Sequence, residues 1–377
     1  MNLDERVELV KRPPTEEVLT EAELVALLGK EAHPKHYIGL EISGLLHLGS
    51  LVILGFKIND FIKAGIRCKV FLADWHSYIN NKMGGDLDKI ERVSRYYEQA
   101  FALFCPGVEF ELGSRLYEKN DQYWKDLLRF SKQITLARDT RCLTIMGRTT
   151  KEKLDLAQYI YPPMQATDIR AMDLDIAHSG MDQRKVHVLV REVFPSLGWK
   201  VPVAVHHHLL AGLQKPEGTG IEEDAESDKA FSSKMSKSKP DSAIFIHDSA
   251  EEIARKMGKA WCPERQVEGN PVLDYAREIV FHEVKAIEVV RPDKYGGTIS
   301  FASYADLEKE FVAGKLHPKD LKQAVASGLD AVVAPVRGHF EGTKILGEVM
   351  TIIEEEGRPS RLGERDVKMQ MTGGRSQ

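Results

Sequence analysis

The 377-residue chain holds only four cysteines, Cys68, Cys105, Cys142 and Cys262, and no two stand at CxxC spacing. They read as buried or incidental thiols, which excludes a disulfide scaffold or a cysteine-based zinc site. A chain of this length needs neither, since it can bury roughly three quarters of its unfolded surface. No run of about 18 apolar residues occurs, so no membrane-spanning helix is expected. The start Met1-Asn2-Leu3-Asp4-Glu5 is too polar for a signal peptide, and the cytoplasm is the expected compartment. Positive charge is not in excess either: the formal net charge is −5. That excludes a basic footprint over the whole surface, but not Lys and Arg clustered where a nucleic-acid backbone would lie. Internal repeats are absent. What remains, 42% hydrophobic and 29% charged residues, is an ordinary globular composition whose length favours two domains. His206-His207-His208 would be adjacent on a strand and point alternately to opposite faces, so they do not converge on a metal, and none is expected.

Periodicity outlines a parallel α/β unit. The first 30 residues read as helical, with capping-box spacing at Thr20–Glu23 ahead of Leu24, Val25, Leu27 and Leu28. Residues 36–42 form a strand candidate, 51–62 a buried helix and 69–72 a second strand, which together make a strand–helix–strand block. Asp86 can cap a helix whose Ile90, Val93, Tyr97, Phe101 and Phe104 recur at spacings of three and four. A further unit follows, with 174–177 as strand, Ser179-Gly180 as turn and a helix over about 183–193. Residues 201–205 form another strand. The acidic, Gly- and Pro-containing stretch 214–230 reads as an exposed, mobile loop. Helices are expected at 249–260, 271–288, 304–312 and 318–331.

Two short motifs stand in this frame. Leu46-His47-Leu48-Gly49-Ser50 lies between a strand and a helix, where unpaired backbone N–H groups and the positive dipole end suit phosphate oxygens. Lys234-Met235-Ser236-Lys237-Ser238 lies on a segment able to close over a nucleotide and bring ammonium charge to a leaving pyrophosphate. Alone, the Lys-Ser string reads equally well as a solvated basic loop. Together and in this order, the two resemble the HIGH and KMSKS elements of class I aminoacyl-tRNA synthetases. The resemblance implies ATP-binding roles for Gly39, His47, Gly49, Ser50, Lys234, Met235, Ser236, Lys237 and Ser238, with His47, Lys234 and Lys237 catalytic. In the fourth position of the first motif, usually His in that class, stands Ser50.

Over residues 5–340 the chain resembles tyrosyl-tRNA synthetases of the archaeal and eukaryotic type. The residues that carry this are Tyr37-Ile38-Gly39-Leu40-Glu41-Ile42-Ser43-Gly44, Tyr161-Pro162-Pro163-Met164-Gln165-Ala166-Thr167-Asp168 and Gly180-Met181-Asp182-Gln183-Arg184-Lys185. The resemblance implies that Tyr37 and Asp168 meet the phenolic hydroxyl of tyrosine, that Tyr161, Gln165 and Gln183 hold its α-amino group, and that His76 lines the same pocket. A phenol offers one donor and one acceptor, and Asp168 with Tyr37 satisfies both. Taken singly, Tyr37 and Tyr161 read as core tyrosines and Gln183 as a helix-surface residue. Asp168 does not, because a buried carboxylate needs a partner.

Lys294-Tyr295-Gly296-Gly297 and Leu316-His317-Pro318-Lys319-Asp320 match the same family. They imply an anticodon reader in Tyr295, His317, Pro318 and Asp320, with Arg184 and Arg141 against the acceptor stem. His317-Pro318 also reads as a helix start with Pro in its first turn. The fold class so implied is a Rossmann-like parallel-sheet catalytic domain over 1–240, with a connective insertion at about 105–180, followed by a smaller, mostly α-helical anticodon-binding domain over 241–356 and a polar tail over 357–377. The expected partners are tRNA(Tyr), L-tyrosine, ATP with Mg2+ as co-substrate, and a second copy in a homodimer. No tightly bound cofactor is expected. Two other readings compete: a tryptophanyl enzyme, which the Tyr37/Asp168 pair opposes, and a non-catalytic paralogue, which would be expected to lack His47 or the Lys237 charge.

Overall fold

The computed structural model describes residues 1–148, 152–218, 233–235, 240–284 and 286–356. A six-stranded sheet is built from β1 (Thr15–Leu19), β2 (Lys35–Leu40), β3 (Arg67–Leu72), β4 (Glu109–Leu112), β5 (Ile176–Gly180) and β6 (Val203–His207), in the order β1-β6-β5-β2-β3-β4. Only β1 runs antiparallel to its neighbour. Strand order reverses between β2 and β5, which opens a crevice at their carboxyl ends. Alternation along the strands feeds two cores. Ile38, Val70 and Val205 face one, and Tyr37, Phe71 and Ala177 face the other. Both faces are thereby covered, as parallel strands require.

The helices of this unit are α1 (Leu3–Lys11), α2 (Glu21–Lys30), α3 (Ile53–Lys63), α4 (Asp74–Ile79), α5 (Leu87–Phe104), α6 (Gly113–Tyr117), α7 (Asp121–Ser131), α8 (Leu136–Cys142), α9 (Tyr161–Ala171) and α10 (Arg184–Val193). The expected caps form: Thr20 and Glu23 close a capping box on α2, and Asp86 Oδ1 accepts from Lys89 N at 3.1 Å on α5. The α5 stripe is buried at Ile90, Val93, Tyr97 and Phe101.

Four expectations are corrected. The first 30 residues are not all helical, since residues 15–19 form β1. Its paired glutamates hid it: they serve polar partners rather than showing the alternation of a half-buried strand. Ser179 and Gly180 end β5 instead of forming a turn, and pair with His206 and His207. A side chain at 180 would displace its neighbours, because a Cβ there would stand 2.7 Å from Asp182 Oδ1 and 2.8 Å from Leu209 Cδ2. The helix beginning at Pro271 widens over Ala276–Val280 and stops at Glu283. Beyond it Ile287–Val289 pairs with Ile299–Phe301, its buried-exposed-buried alternation being the strand signal that a helical reading absorbed. The helix from Pro318 runs on to Phe340, and another follows at Lys344–Glu356. The stretch 219–232 and the tail 357–377 lie outside the described residues.

Candidate active site and anticodon-binding surface

Two cavities adjoin at the carboxyl ends of β2, β5 and β6. The first, of 490 Å³, is lined by all six residues expected to bind an amino acid: Tyr37, His76, Tyr161, Gln165, Asp168 and Gln183. Tyr37 comes from β2, His76 from α4, and Tyr161, Gln165 and Asp168 from one side of α9, where spacings of three and four align side chains. Gln183 stands just before α10.

Asp168 is fully buried. Its Oδ1 accepts from Tyr123 at 2.8 Å and from Tyr117 at 3.0 Å, while Oδ2 lies 3.5 Å from His76 Nε2. Burial pushes the carboxyl up to about 8 against these two donors. Burial also pushes the His76 imidazole down to about 3, so it is neutral and does not offset a charge on Asp168. The phenol of Tyr37 is raised by burial, and further by Asp168. Three buried polar atoms on residues that line this cavity, both ring nitrogens of His76 and Oε1 of Gln165, make no hydrogen bond among the described residues. Native interiors leave such atoms open where a polar ligand or water completes them.

At the other end of the same cavity Tyr161 Oη donates to Glu41 Oε1 at 2.9 Å, Asn80 donates to the same oxygen at 2.7 Å, and Lys82 Nζ stands 3.3 Å from Oε2. Gln165 Nε2 donates to Gln183 Oε1 at 3.4 Å, and Gln183 Nε2 to Ile145 O at 2.8 Å. This end gathers acceptors suited to an ammonium group, with the carboxylate of Glu41 among them.

The second cavity, of 590 Å³, is lined by His47, Gly49, Ser50, Lys234 and Met235. It shares Leu40, Glu41, Lys82, Asp182, His207 and Lys234 with the first, so the two adjoin. Both signature segments are pinned by short antiparallel bridges. Leu48 N donates to Ile244 O at 3.0 Å and Ile246 N to Leu46 O at 3.1 Å. Ala211 faces Lys234 in the other bridge. Lys234 Nζ stands 2.5 Å from Asp182 Oδ2. Burial raises the Asp182 carboxyl, but Lys234 outweighs it and holds it below the usual carboxylate range.

The position usually held by His has a local explanation. Ser50 Oγ accepts from His47 N at 2.9 Å and donates to His47 O at 3.2 Å, so it closes the helix start on which His47 sits. A Cβ on Gly49 would lie 3.2 Å from the His47 ring, so Gly49 also leaves that ring its place. Gly39, expected on the nucleotide side, lines the first cavity.

Ser236, Lys237 and Ser238 lie outside the described residues. The three adjacent histidines take separate partners: His206 pairs with Glu17 and His187, His207 with His178, and His208 with Glu16 and Asp274. Glu41, Lys82 and Asp182 were not singled out from the sequence, although Glu41 and Asp182 sit inside the blocks that were. A carboxylate within two residues of the end of a parallel strand is the signal that could have found both.

A third cavity, of 530 Å³, lies far along the chain. His317, Pro318 and Asp320 line it together with Arg265, Arg291 and Lys319. His317 Nδ1 caps its helix by accepting from Lys319 N at 3.1 Å, so the helix-start reading and the cavity coexist. Tyr295 belongs to a single turn at Asp293–Tyr295. Arg141 is exposed on α8, and Arg184 at the start of α10 is bound by Glu17 at 2.8 Å; both lie outside these cavities.

The family described as tRNA synthetases class I (W and Y) matches residues 30–334. The tyrosine–tRNA ligase of Thermococcus kodakarensis is 47% identical over 360 residues, which is 90% of this chain and 96% of that protein. The one from Pyrococcus furiosus is 48% identical over the same shares. A solved tyrosyl-tRNA synthetase of Pyrococcus horikoshii, complexed with L-tyrosine, superposes with a TM-score of 0.86 at 47% identity, covering 93% of this chain and all of that one. A tryptophanyl-tRNA synthetase from Plasmodium falciparum shares the fold, with a TM-score of 0.64 at 14% identity and coverage of 93% of this chain and 91% of that one. The chain belongs to the class I tRNA synthetases of the tryptophan and tyrosine family, on the branch of the archaeal tyrosine–tRNA ligases.

Proposed function

We infer that this chain is a tyrosine–tRNA ligase, which joins tyrosine to ATP and then to tRNA. The observation that carries the reading is that two cavities adjoin and share a wall. One is built around a buried carboxylate beside a tyrosine hydroxyl, the other around two signature segments, and Lys234 stands at their junction. The two relatives at 47% and 48% identity are named tyrosine–tRNA ligases, and a tyrosyl-tRNA synthetase at 47% identity was solved with L-tyrosine.

The phenol of tyrosine enters between Tyr37 and Asp168, and its ammonium lies toward Glu41, Tyr161, Gln165 and Gln183. That directs its carboxylate to the second cavity. There an oxygen of the carboxylate attacks the α-phosphorus of ATP, the bond from that phosphorus to the bridging oxygen breaks, and pyrophosphate leaves. The nucleophile is already an anion, so no general base is needed and alignment supplies the rate. His47 donates to the α-phosphate oxygens, and Lys234 with Lys237 stabilises charge growing on the leaving group. Gly39, Gly49, Ser50, Met235, Ser236 and Ser238 frame the nucleotide. In the second step a ribose hydroxyl of the tRNA 3′ end attacks the activated carbonyl and AMP leaves.

The same reading extends to parts that the chain does not display. Magnesium accompanies ATP as co-substrate, and no resident metal or organic cofactor is needed. Residues 1–240 form the catalytic unit with its insertion at about 105–180, and 241–356 form the anticodon-binding unit. Tyr295, His317, Pro318 and Asp320 read the first anticodon base, where a splayed base stacks and pairs by its edge. Arg141 and Arg184 approach the acceptor stem. The protein works as a homodimer in the cytoplasm, with one tRNA spanning both subunits; no described helix is long and apolar enough to cross a membrane. Charging of tRNA(Tyr) with labelled tyrosine tests the reading: esterified tyrosine is expected, and none in the presence of ATP and intact tRNA rejects it.

A further inference from the structure

The chain leaving β6 and the start of the second signature form a short ladder. Gly212 N donates to Ser233 O at 2.7 Å and Met235 N to Leu210 O at 2.9 Å, with Ala211 opposite Lys234. In an antiparallel pair of this kind the two facing residues turn their own N–H and C=O groups away from each other. Those of Ala211 are both taken up by consecutive residues of the helix Pro271–Tyr275. Asp274 Oδ2 accepts from Ala211 N at 3.1 Å, and Tyr275 Oη donates to Ala211 O at 2.6 Å. Two side chains thus stand where a third strand would.

These side chains are themselves fixed. Tyr275 is fully buried in the core. Asp274 Oδ1 lies 2.9 Å from His208 Nε2 and 3.3 Å from Arg277 Nη2, and Asn270 caps the helix from Val272 N at 3.1 Å. Neither Asp274 nor Tyr275 lines either of the two joined cavities.

We propose that Asp274 and Tyr275 are positioning residues for Lys234: by holding both backbone polar groups of Ala211, they set the backbone from which the Lys234 ammonium reaches the phosphates. The proposal rests on the reading of Lys234 as a phosphate-binding cation. A lysine side chain is flexible, so the place of its charge at the reacting centre depends on where its Cα is anchored. A misplacement of about 1 Å can cost up to about a hundredfold in rate.

The test compares steady-state ATP–pyrophosphate exchange and calorimetric tyrosine binding for the full chain and for Tyr275→Phe, Asp274→Ala, Asp274→Asn, Lys234→Ala and Tyr275→Phe/Lys234→Ala. Tyr275→Phe removes one hydroxyl and is expected to lower kcat by about tenfold while tyrosine Kd stays within about twofold. Asp274→Ala should also lower kcat, and Asp274→Asn, which keeps an oxygen for Ala211 N, should recover most of it. In the Lys234→Ala background Tyr275→Phe should cost nothing further, since its effect is transmitted through the missing ammonium. An equal loss from Tyr275→Phe with and without Lys234 overturns the proposal. So does an unimpaired Tyr275→Phe beside an impaired Lys234→Ala. Wild-type exchange in Lys234→Ala overturns the reading of Lys234 itself, and this proposal with it. Should Asp274→Ala fail to fold, the two Tyr275 comparisons decide.

Discussion

Lys234 Nζ and Asp182 Oδ2 stand 2.5 Å apart at the junction of the amino-acid and nucleotide cavities. On the proposed reading, the pair holds an ammonium charge at that junction before the nucleotide arrives. Phosphate oxygens compete with Asp182 for that charge. Removing a donor aimed at developing negative charge typically costs about 10²–10³ in kcat, and Lys234→Ala is expected to lose that much in pyrophosphate exchange. Tyrosine binding, measured by calorimetry, should be unchanged.

On the proposed reading Asp168 meets the phenol of tyrosine. Asp168→Ala is expected to raise the KM for tyrosine by about 1–3 kcal/mol, since it strands a buried hydroxyl, and to leave the KM for ATP nearly unchanged. Equal effects on both would make Asp168 a structural residue.

The pH dependence of tyrosine binding follows from the same carboxyl. In the free protein burial places it at about 8, so at neutral pH it is largely protonated. A phenol that donates to it favours the anion and lowers its pKa in the complex, so binding releases a proton. Tyrosine affinity should therefore tighten as pH rises from 6 toward about 8 and then level off. Asp168→Asn should abolish that slope. Tyr123→Phe, which removes the 2.8 Å donor, should move the levelling-off to higher pH.

How far the sequence foreshadowed this site depends on the kind of contact. Tyr161, Gln165 and Asp168 were legible only through the family resemblance, since no helix was expected there; the structure places them on one side of α9. The His47 helix start was legible in itself, since a Gly-containing strand-to-helix junction has a recognisable pattern. The donors that satisfy Asp168, Tyr117 and Tyr123, were not: they come from α6 and α7, some 45 to 51 residues away in sequence, and meet it only through packing. Strand β1 was hidden for a related reason. Its Glu16 and Glu17 look like helix or surface residues until folding brings His208, His206 and Arg184 to them.

Stability rests in part on another buried cluster. Lys57 and Asp60 are both fully buried, 3.2 Å apart, with Arg12 also bound to Asp60. Burial raises the Asp60 carboxyl, but His282, Arg12 and Lys57 outweigh it and hold it at about 2. Because the folded value lies below the unfolded value of about 3.9, this contribution is present above pH 4 and is lost as pH falls toward 2. Asp60→Ala leaves Lys57 uncompensated and is expected to cost about 3–5 kcal/mol in urea unfolding at pH 7. The mutant should also show a shallower loss of stability between pH 4 and 2.

On the proposed reading the third cavity serves tRNA recognition and takes no part in activation. Asp320→Ala should weaken productive tRNA binding by about 1–3 kcal/mol, seen as a raised KM for tRNA in aminoacylation. Pyrophosphate exchange, which needs no tRNA, should not change.

The most direct test of the central claim is amino-acid-dependent ATP–pyrophosphate exchange with tyrosine, tryptophan and phenylalanine offered separately. Exchange with tyrosine far above the other two is expected, because only a phenol completes the buried Tyr37–Asp168 pair. Exchange with tryptophan alone, or none with any of the three, would contradict it.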